Sequence, residues 1–129
     1  MTDIVGRAAL SVDFELFRHT PAYRGAEGSL DDPSLGVEAT DFLLDTLDAH
    51  DARATFFVVG ELTEDHPDVV ERIAKAGHEI ASHTHTHHTL SSLDATDRRA
   101  EIARSRDALE SLTGRNVRGF RAPAFDLPD

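Results

Sequence analysis

Residues 54–59 have the sequence Ala-Thr-Phe-Phe-Val-Val and are followed by Gly60, and this stretch decides the fold. A short, unbroken run of aromatic and β-branched residues that ends at a glycine is typical of a strand buried on both faces of a parallel sheet. A helix is predicted on each side of it. Apolar residues recur with helical spacing over residues 35–50, and a second amphipathic segment, residues 68–76, lies between a proline and a glycine.

Further strands and helices are predicted outward from this centre. Residues 7–15 and 78–82 are short apolar runs that predict strands, while residues 95–112 predict a longer helix that ends at a glycine. Residues 116–120 predict a fourth strand, and residues 18–34 predict a long loop rich in Pro, Gly, Ser and Asp. The alternation predicts an α/β protein with parallel strands and right-handed crossover helices.

The length of the chain leaves two architectures open. Four strands with three crossovers form either a small open sheet or the first half of a (β/α) barrel. The chain has 129 residues, whereas a closed barrel usually needs about 200 or more. We therefore expect one domain over residues 1–129 that is truncated at its C-terminus.

The composition restricts the partners. The formal net charge is −11, from 24 acidic and 13 basic residues, so we expect no binding to nucleic acid or to anionic membranes. An acidic chain with Lys75 as its only lysine resembles proteins of halophiles, although an ordinary acidic protein has a similar composition. Since neither a signal peptide nor a transmembrane run is evident, the expected location is cytoplasmic.

The segment from Ser82 to His88 contains four histidines directly after a predicted strand. Ligands in parallel sheets lie at the carboxyl ends of the strands, and imidazole is a common ligand of divalent transition metals. In a chain without cysteine, His, Asp and Glu must supply any such site. The segment therefore indicates a metal site, with a polar histidine-rich loop as the alternative.

Two further groups of polar residues follow predicted strands. Asp13 and Glu15 lie two apart, so their carboxylates share one face of the first strand and require a positive neighbour, unless both are simply solvated. Arg121 follows the fourth predicted strand, and Pro123 stiffens the loop that carries it. The fork of donors on an arginine can hold a carboxylate in place, although an arginine beside a proline is often structural.

These segments, in this order, resemble the NodB-homology polysaccharide deacetylases, also called carbohydrate esterase family 4. The resemblance runs from Ala8 to the last residue and includes RATFFVVG at residues 53–60 and GHEIASHT at residues 77–84. The family's metal motif, His-Ser/Thr-x-x-His, is similar to residues 83–87, and its third motif is similar to residues 121–123. The implied fold is the first half of a distorted (β/α)7 barrel.

The resemblance also implies roles for individual residues. His83, His87 and Glu15 would bind a divalent metal, with Zn expected and Co or Ni as alternatives, and Asp13 would be the general base. The family's first motif commonly has adjacent aspartates, so the wider spacing here leaves open whether Asp13 is the ligand instead of Glu15. Arg121 would orient the base, and the resemblance assigns substrate binding to two residues of the same loop, Pro123 and Phe125.

The remaining histidines match no ligand of the family motif. His85 and His88 are expected to be solvated or to support the ligands. His19 is expected to be an exposed loop residue, with a position that lines the cleft as the alternative. Thr84 is expected to form a hydrogen bond within the turn and so to hold the two histidine ligands apart.

The implied activity is metal-dependent hydrolysis of a non-peptide carbon–nitrogen bond, the deacetylation of N-acetylated or O-acetylated sugars in a polysaccharide. The alternatives are hydrolysis of a small cyclic amide or ureide and a non-catalytic metal-binding or sugar-binding remnant. The family's general acid is a histidine from a later motif, so we expect the 129-residue chain alone to be inactive or very weak. The expected partner is a carbohydrate or a small acylated substrate, and the oligomeric state stays open.

Overall fold

The computed structural model describes residues 6–26 and 33–129, and its centre is a sheet of three parallel strands. The strands are β1 (Ser11–Phe14), β2 (Thr55–Val58) and β3 (Glu79–Ser82), and they are adjacent in that order. The register places Asp13 beside Phe57 and Phe57 beside Ala81. The predicted α/β architecture with parallel strands is therefore confirmed.

Helices occupy the connections between the strands. Five α-helices are described: α1 (Pro21–Arg24), α2 (Ser34–Ala49), α3 (Leu62–Asp65), α4 (Pro67–Lys75) and α5 (Ala95–Thr113). Three single-turn 3-10 helices lie at Phe17–His19, Leu90–Ser92 and Pro123–Phe125. The three longest helices agree with the predicted ones to within one residue at each end. In the described ranges, no helix has the length and apolar character needed to cross a bilayer.

One face of the sheet forms the hydrophobic core with the helices. Alternate strand residues, among them Phe14, Phe56 and Ile80, point to this side and are buried against residues of α4 and α5 such as Ile73 and Leu109. Burial of one such side chain contributes about 1.5–3 kcal/mol. The opposite face therefore carries the more polar set of strand residues, and the functional groups lie on it or just beyond its strands.

The predicted fourth strand at residues 116–120 is wrong in extent. Only Phe120 forms a bridge, parallel to Ser82, with hydrogen bonds from Ser82 N to Gly119 O and from Arg121 N to Ser82 O. The segment contains Gly119 and exposed polar residues, which have low strand propensity. No further strand of the described part of the chain pairs with its other side. The local contact nevertheless holds Arg121 at the end of β3.

The loop predicted at residues 18–34 contains regular structure at its start. Its first turn lies in the 3-10 helix Phe17–His19 and is followed by α1, where the hydroxyl of Thr20 accepts a hydrogen bond from Tyr23 N. Residues 27–32 of the predicted loop lie outside the described residues. Proline at the first position of α1 and threonine at its N-cap are the local signals for this short helix.

Candidate metal centre

The carboxyl ends of β1 and β3 bring two of the predicted polar clusters together. Asp13 lies near the end of β1 and Glu15 just beyond it, while His83 and His87 follow β3. The two strands flank β2 in a parallel sheet, so their carboxyl ends lie at one edge.

The turn after β3 has an unusual backbone. Thr84 and His87 have positive φ angles of 64° and 63°, a region that residues other than glycine seldom adopt. The hydroxyl of Thr84 accepts a hydrogen bond from His87 N at 3.1 Å, as expected for a bond within the turn, and Gly60 N donates to Thr84 O at 2.9 Å. Such strained conformations persist where surrounding contacts fix them, and they are often found at functional sites.

Glu15, His83 and His87 form a compact group. Each offers one nitrogen or oxygen atom that could bind a metal, and these atoms all lie within 4.8 Å of one another. The two imidazoles are buried, with His83 1% exposed and His87 7% exposed, whereas Glu15 is half-buried. The structure thus brings together the three residues that the sequence predicts as ligands.

Hydrogen bonds to the main chain fix the orientation of both imidazoles. His83 Nδ1 lies 2.7 Å from the carbonyl oxygen of Arg121, and His87 Nδ1 lies 2.8 Å from the carbonyl oxygen of His19. A carbonyl oxygen only accepts hydrogen bonds, so each Nδ1 carries a hydrogen. In the neutral rings, Nε2 is then the atom with a free lone pair, as required of a metal ligand.

The carboxylate of Glu15 completes this arrangement. Its Oε2 is buried without a hydrogen-bond partner of normal geometry among the described residues, although it is in contact with His87 Nε2. Burial acts to raise the pKa of Glu15, but the imidazole of His87, with those of His83 and His19, outweighs burial and the pKa is lowered. If His87 is neutral, the lone pair on its Nε2 faces the carboxylate oxygen of Glu15, and the two repel each other. A cation or a proton between the two atoms removes this repulsion.

The donor set fits a divalent transition metal. Two imidazoles and one carboxylate supply three protein ligands and leave coordination positions open, which is typical of catalytic and not of structural sites. Burial lowers the pKa of His83, although the Arg121 carbonyl and the Asp13 carboxylate act in the opposite direction. This imidazole therefore stays neutral, the form that binds metals, to a lower pH than an exposed histidine.

Asp13 has a different environment from Glu15. Arg121 Nη1 donates to Asp13 Oδ1 at 2.7 Å, and Nη2 of the same guanidinium donates to Ser11 Oγ at 2.9 Å. The other carboxylate oxygen, Oδ2, lies 3.7 Å from His83 Nε2. Arg121 therefore holds Asp13 beside the group formed by Glu15, His83 and His87, and Asp13 is not itself a member of that group.

The residues assigned to substrate binding lie on the 3-10 helix Pro123–Phe125, which closely follows Arg121 in the chain. The guanidinium carbon lies 4.1 Å from the centre of the Phe57 ring and 5.5 Å from that of Phe125. Pro123 is buried, whereas Phe125 is 76% exposed and lines an apolar groove with Phe57. Substrate binding by Pro123 and Phe125 stays a prediction.

The prediction of an exposed His19 is wrong. The ring is 1% exposed, its Nδ1 accepts a hydrogen bond from Leu16 N at 3.0 Å, and its Nε2 lies 3.1 Å from Glu61 Oε2. The ring is buried because the 3-10 turn folds it inward. The threonine and proline after His19 are the sequence signal that this part of the loop is ordered.

Three other side chains of this region complete the comparison with the prediction. His85 is buried beside Gly60, and neither of its ring nitrogens has a hydrogen-bond partner among the residues that the structure describes. His88 is exposed, and its ring contacts the hydroxyl of Thr86. Arg24, which the sequence did not single out, donates to main-chain carbonyls of the turn after β3.

Comparisons with known proteins identify relatives of this chain. It is 38% identical over 106 residues to a peptidoglycan-N-acetylglucosamine deacetylase of Bacillus cereus, which corresponds to 81% of this chain and 38% of that enzyme. It is 44% identical over 69 residues to a chitooligosaccharide deacetylase of Rhizobium leguminosarum bv. trifolii, which is 54% of this chain and 32% of the relative. The matched part of the chain thus spans about a third of the length of the rhizobial relative and nearly two fifths of that of the Bacillus relative.

A solved structure extends the similarity to three dimensions. The Bc1960 peptidoglycan N-acetylglucosamine deacetylase superposes with a TM-score of 0.74 and 29% sequence identity, over 94% of this chain and 48% of that structure. The description "Polysaccharide deacetylase" belongs to the family model that matches residues 29–129. Since this match covers most of the sequence and includes both histidines of the compact group, the chain belongs to the polysaccharide deacetylase family.

Proposed function

We propose that this protein removes acetyl groups from N-acetylated or O-acetylated sugars of a polysaccharide with the help of a divalent metal held by Glu15, His83 and His87. The observation that carries the proposal is the position of this three-residue group beside the Asp13–Arg121 pair. The two relatives are named as deacetylases of peptidoglycan N-acetylglucosamine and of chitooligosaccharides. These names support an N-acetylated sugar as the substrate.

The ligand types favour a transition metal over Mg²⁺ or Ca²⁺. Imidazole suits Zn, Co, Ni and Fe, whereas Mg²⁺ and Ca²⁺ prefer sites made of oxygen atoms alone. We propose Zn as the physiological ion, with Co or Ni as alternatives. When bound, such an ion supplies Lewis acidity toward a carbonyl oxygen and toward water.

Asp13 is the proposed general base. Arg121 holds Oδ1, so Oδ2 remains on the side that faces His83 and can accept a proton from the attacking water. As the water oxygen forms a bond to the acetyl carbon, its proton passes to Asp13. The carbon–nitrogen bond then breaks as the amine nitrogen takes up a proton, which the family resemblance assigns to a histidine of a later motif, and the products are acetate and the free amine. Positioned proton transfer of this kind contributes about 10²–10⁴-fold to the rate.

The aromatic surface next to Arg121 suits a sugar ring. The exposed ring of Phe125 and the ring of Phe57 flank the guanidinium that holds Asp13. A sugar lying on Phe125 would place its acetyl group toward Asp13 and the metal ligands. We therefore propose Phe125 as a substrate contact and Pro123 as the residue that fixes the loop carrying it.

Metal analysis tests the first part of the proposal. The wild-type chain is expected to bind one divalent ion, and His83→Ala and His87→Ala are each expected to abolish stoichiometric binding. His88→Ala is the matched control, because His88 lies in the same segment but is exposed and outside the three-residue group. Equal metal content in all four proteins would contradict the assignment.

Acetate release from N-acetylated chitooligosaccharides and from peptidoglycan tests the second part. It is measured on a longer form that spans the length of the relatives, because the 129 residues alone are expected to be inactive or very weak. Acetate release that Asp13→Asn reduces, while metal content stays unchanged, would support the proposal. Hydrolysis of cyclic imides without release of acetate would identify the protein as a cyclic amide hydrolase instead. Stoichiometric metal with neither reaction in the longer form would identify a non-catalytic binding protein.

A further inference from the structure

The segment after β1 contacts the turn after β3 at three points. We call residues 16–26 the β1 loop and residues 83–87 the metal turn. His87 Nδ1 donates to His19 O at 2.8 Å. From the other end of the β1 loop, Arg24 Nη1 donates to His87 O at 3.1 Å and Arg24 Nη2 donates to Thr86 O at 2.5 Å.

We propose that Arg24 is a positioning residue for the metal ligand His87, and that the β1 loop and the metal turn form one unit in which the orientation of His87 depends on the loop. The inference rests on the proposed metal site. It adds a residue that lies outside the motifs singled out in the sequence and binds neither metal nor substrate.

The geometry of the metal turn explains why it needs such a partner. His87 has a positive φ of 63°, which a residue with a side chain adopts at an energetic cost, and the carbonyls of Thr86 and His87 lie outside any helix or strand. The fork of donors on one guanidinium can bind both carbonyls at once. Arg24 therefore restrains the two successive peptide units that set the direction of the His87 side chain.

The β1 loop is itself anchored, so it can transmit this restraint. The buried ring of His19 accepts a hydrogen bond from Leu16 N and contacts the carboxylate of Glu61 at 3.1 Å. The main-chain N of Glu61 donates to His85 O at 3.0 Å, so Glu61 contacts both His19 and the metal turn. The metal turn is thus held by the β1 loop at His87 and by Glu61 at His85.

Arg24→Lys distinguishes the effect of the positive charge from the effect of the planar fork of donors. Arg24→Lys keeps the positive charge but has a single ammonium group on a flexible stem, which does not reproduce the planar fork that binds two carbonyls. Arg24→Ala removes both. If the fork positions His87, the two substitutions are expected to have similar effects, whereas a purely electrostatic role would leave Arg24→Lys close to the wild type.

The first experiment measures metal affinity and coordination geometry. Zn²⁺ affinity is obtained by competition with a chelator, and the visible absorption of the Co²⁺ form reports the ligand geometry. Arg24→Ala and Arg24→Lys are expected to weaken Zn²⁺ binding by about 10–100-fold, the usual effect of losing an outer-shell partner, and to change the Co²⁺ spectrum. Arg99→Ala is the control, because Arg99 is an exposed arginine on α5.

A second experiment uses the wild-type chain alone, so it does not depend on the folding of a variant. Trypsin cleaves after arginine, and both Arg24 and Arg115 are exposed. Coupling between the β1 loop and the metal turn predicts that Zn²⁺ slows cleavage after Arg24 and leaves cleavage after Arg115 unchanged. Equal cleavage rates after Arg24 with and without Zn²⁺ would overturn the coupling.

The outcomes distinguish this inference from the proposed function. A wild-type chain that binds no divalent metal would refute the proposed function and the inference with it. A wild-type chain that binds Zn²⁺, with Arg24→Ala showing the same affinity and the same Co²⁺ spectrum, would refute the role of Arg24 alone. Full retention of both properties by Arg24→Lys would refute the role of the fork.

Discussion

Arg121 contributes two different groups to the candidate site. Its side chain binds Asp13 and Ser11, and its main-chain carbonyl accepts the hydrogen bond from His83 Nδ1. The first group acts on the proposed base and the second on a proposed ligand. Substitution of the side chain removes only the first, because every residue at this position retains the carbonyl.

Arg121→Lys is therefore expected to separate chemistry from metal binding. Lysine cannot bind Asp13 and Ser11 simultaneously with fixed geometry. We expect acetate release by a longer form that spans the length of the relatives to fall by about 10–100-fold, while the Zn²⁺ content stays at the wild-type value. The measurements are acetate release and metal analysis on the same preparations, and a parallel loss of metal would show that the side chain supports the ligands as well.

Single residues differed in how well the sequence could predict their place. The placement of His83 and His87 on one turn could be predicted from the motif spacing. The spacing of Asp13 and Glu15 puts both on one face of the strand, so the sequence left open which carboxylate joins the two histidines. The contacts of His19 and Arg24 could not be predicted, since they depend on how a loop without a periodic pattern returns across the sheet. A buried loop histidine and an exposed one have the same local sequence pattern.

At the scale of elements, the turn after β2 packs closely on the metal turn. Gly60 N donates to Thr84 O at 2.9 Å, and a Cβ added at Gly60 would lie 2.4 Å from His85 Nδ1 and 3.1 Å from the Cα atom of Ser105 on α5. The backbone cannot yield easily at these distances. The glycine therefore permits the approach of two loops and a helix.

Gly60→Ala is expected to destabilise the protein by about 1–3 kcal/mol, as overpacking of a buried site usually does. Urea-induced unfolding measures the change in the free energy of unfolding. Gly6→Ala is the matched control, because no atom lies within 4 Å of a Cβ added there. Equal midpoints for wild type and Gly60→Ala would show that His85 and α5 move aside without cost.

Strands and helices also differed in how far patterns could define them. The core strands are predicted from continuous apolar runs and the three long helices from helical periodicity. Both patterns arise because these elements bury their apolar residues against one another. The segment ending at Phe120 has a weaker pattern, and its pairing is limited to the contacts around Ser82. Strand formation at that position depends on neighbours in space, which local sequence does not specify.

At the scale of the whole molecule, the fold buries titratable rings in its apolar regions. His78 is 2% exposed, its Nδ1 accepts a hydrogen bond from Ala54 N at 3.2 Å, and its ring centre lies 5.2 Å from that of Phe56. Burial lowers the pKa of His78, and the nearby Arg53 lowers it further. Protonation would place a charge in the core and turn the acceptor Nδ1 into a donor that faces an N–H group.

The direction of this pKa shift determines how stability depends on pH. The unfolded chain, with an ordinary imidazole pKa of 6.5, takes up protons at a higher pH than the folded chain. Stability therefore rises with pH in this range. The contribution of the neutral His78 to the free energy of unfolding is fully present above the unfolded pKa of 6.5. It is lost as the pH falls from there toward the lower pKa of the folded chain. Buried His19, His83 and His85, whose pKa values are also lowered by burial, act in the same direction.

Unfolding of the metal-free protein in urea, measured between pH 7.5 and pH 5 at constant ionic strength, is expected to show a decreasing free energy of unfolding. Each unit by which folding lowers an imidazole pKa contributes about 1.4 kcal/mol to the total decrease. His78→Gln removes one of these groups and is expected to reduce the slope between these pH values, whatever its effect on stability at pH 7.5. A wild-type free energy of unfolding that stays constant over this range would contradict burial of the neutral rings, and an unchanged slope in His78→Gln would assign the effect to the other histidines.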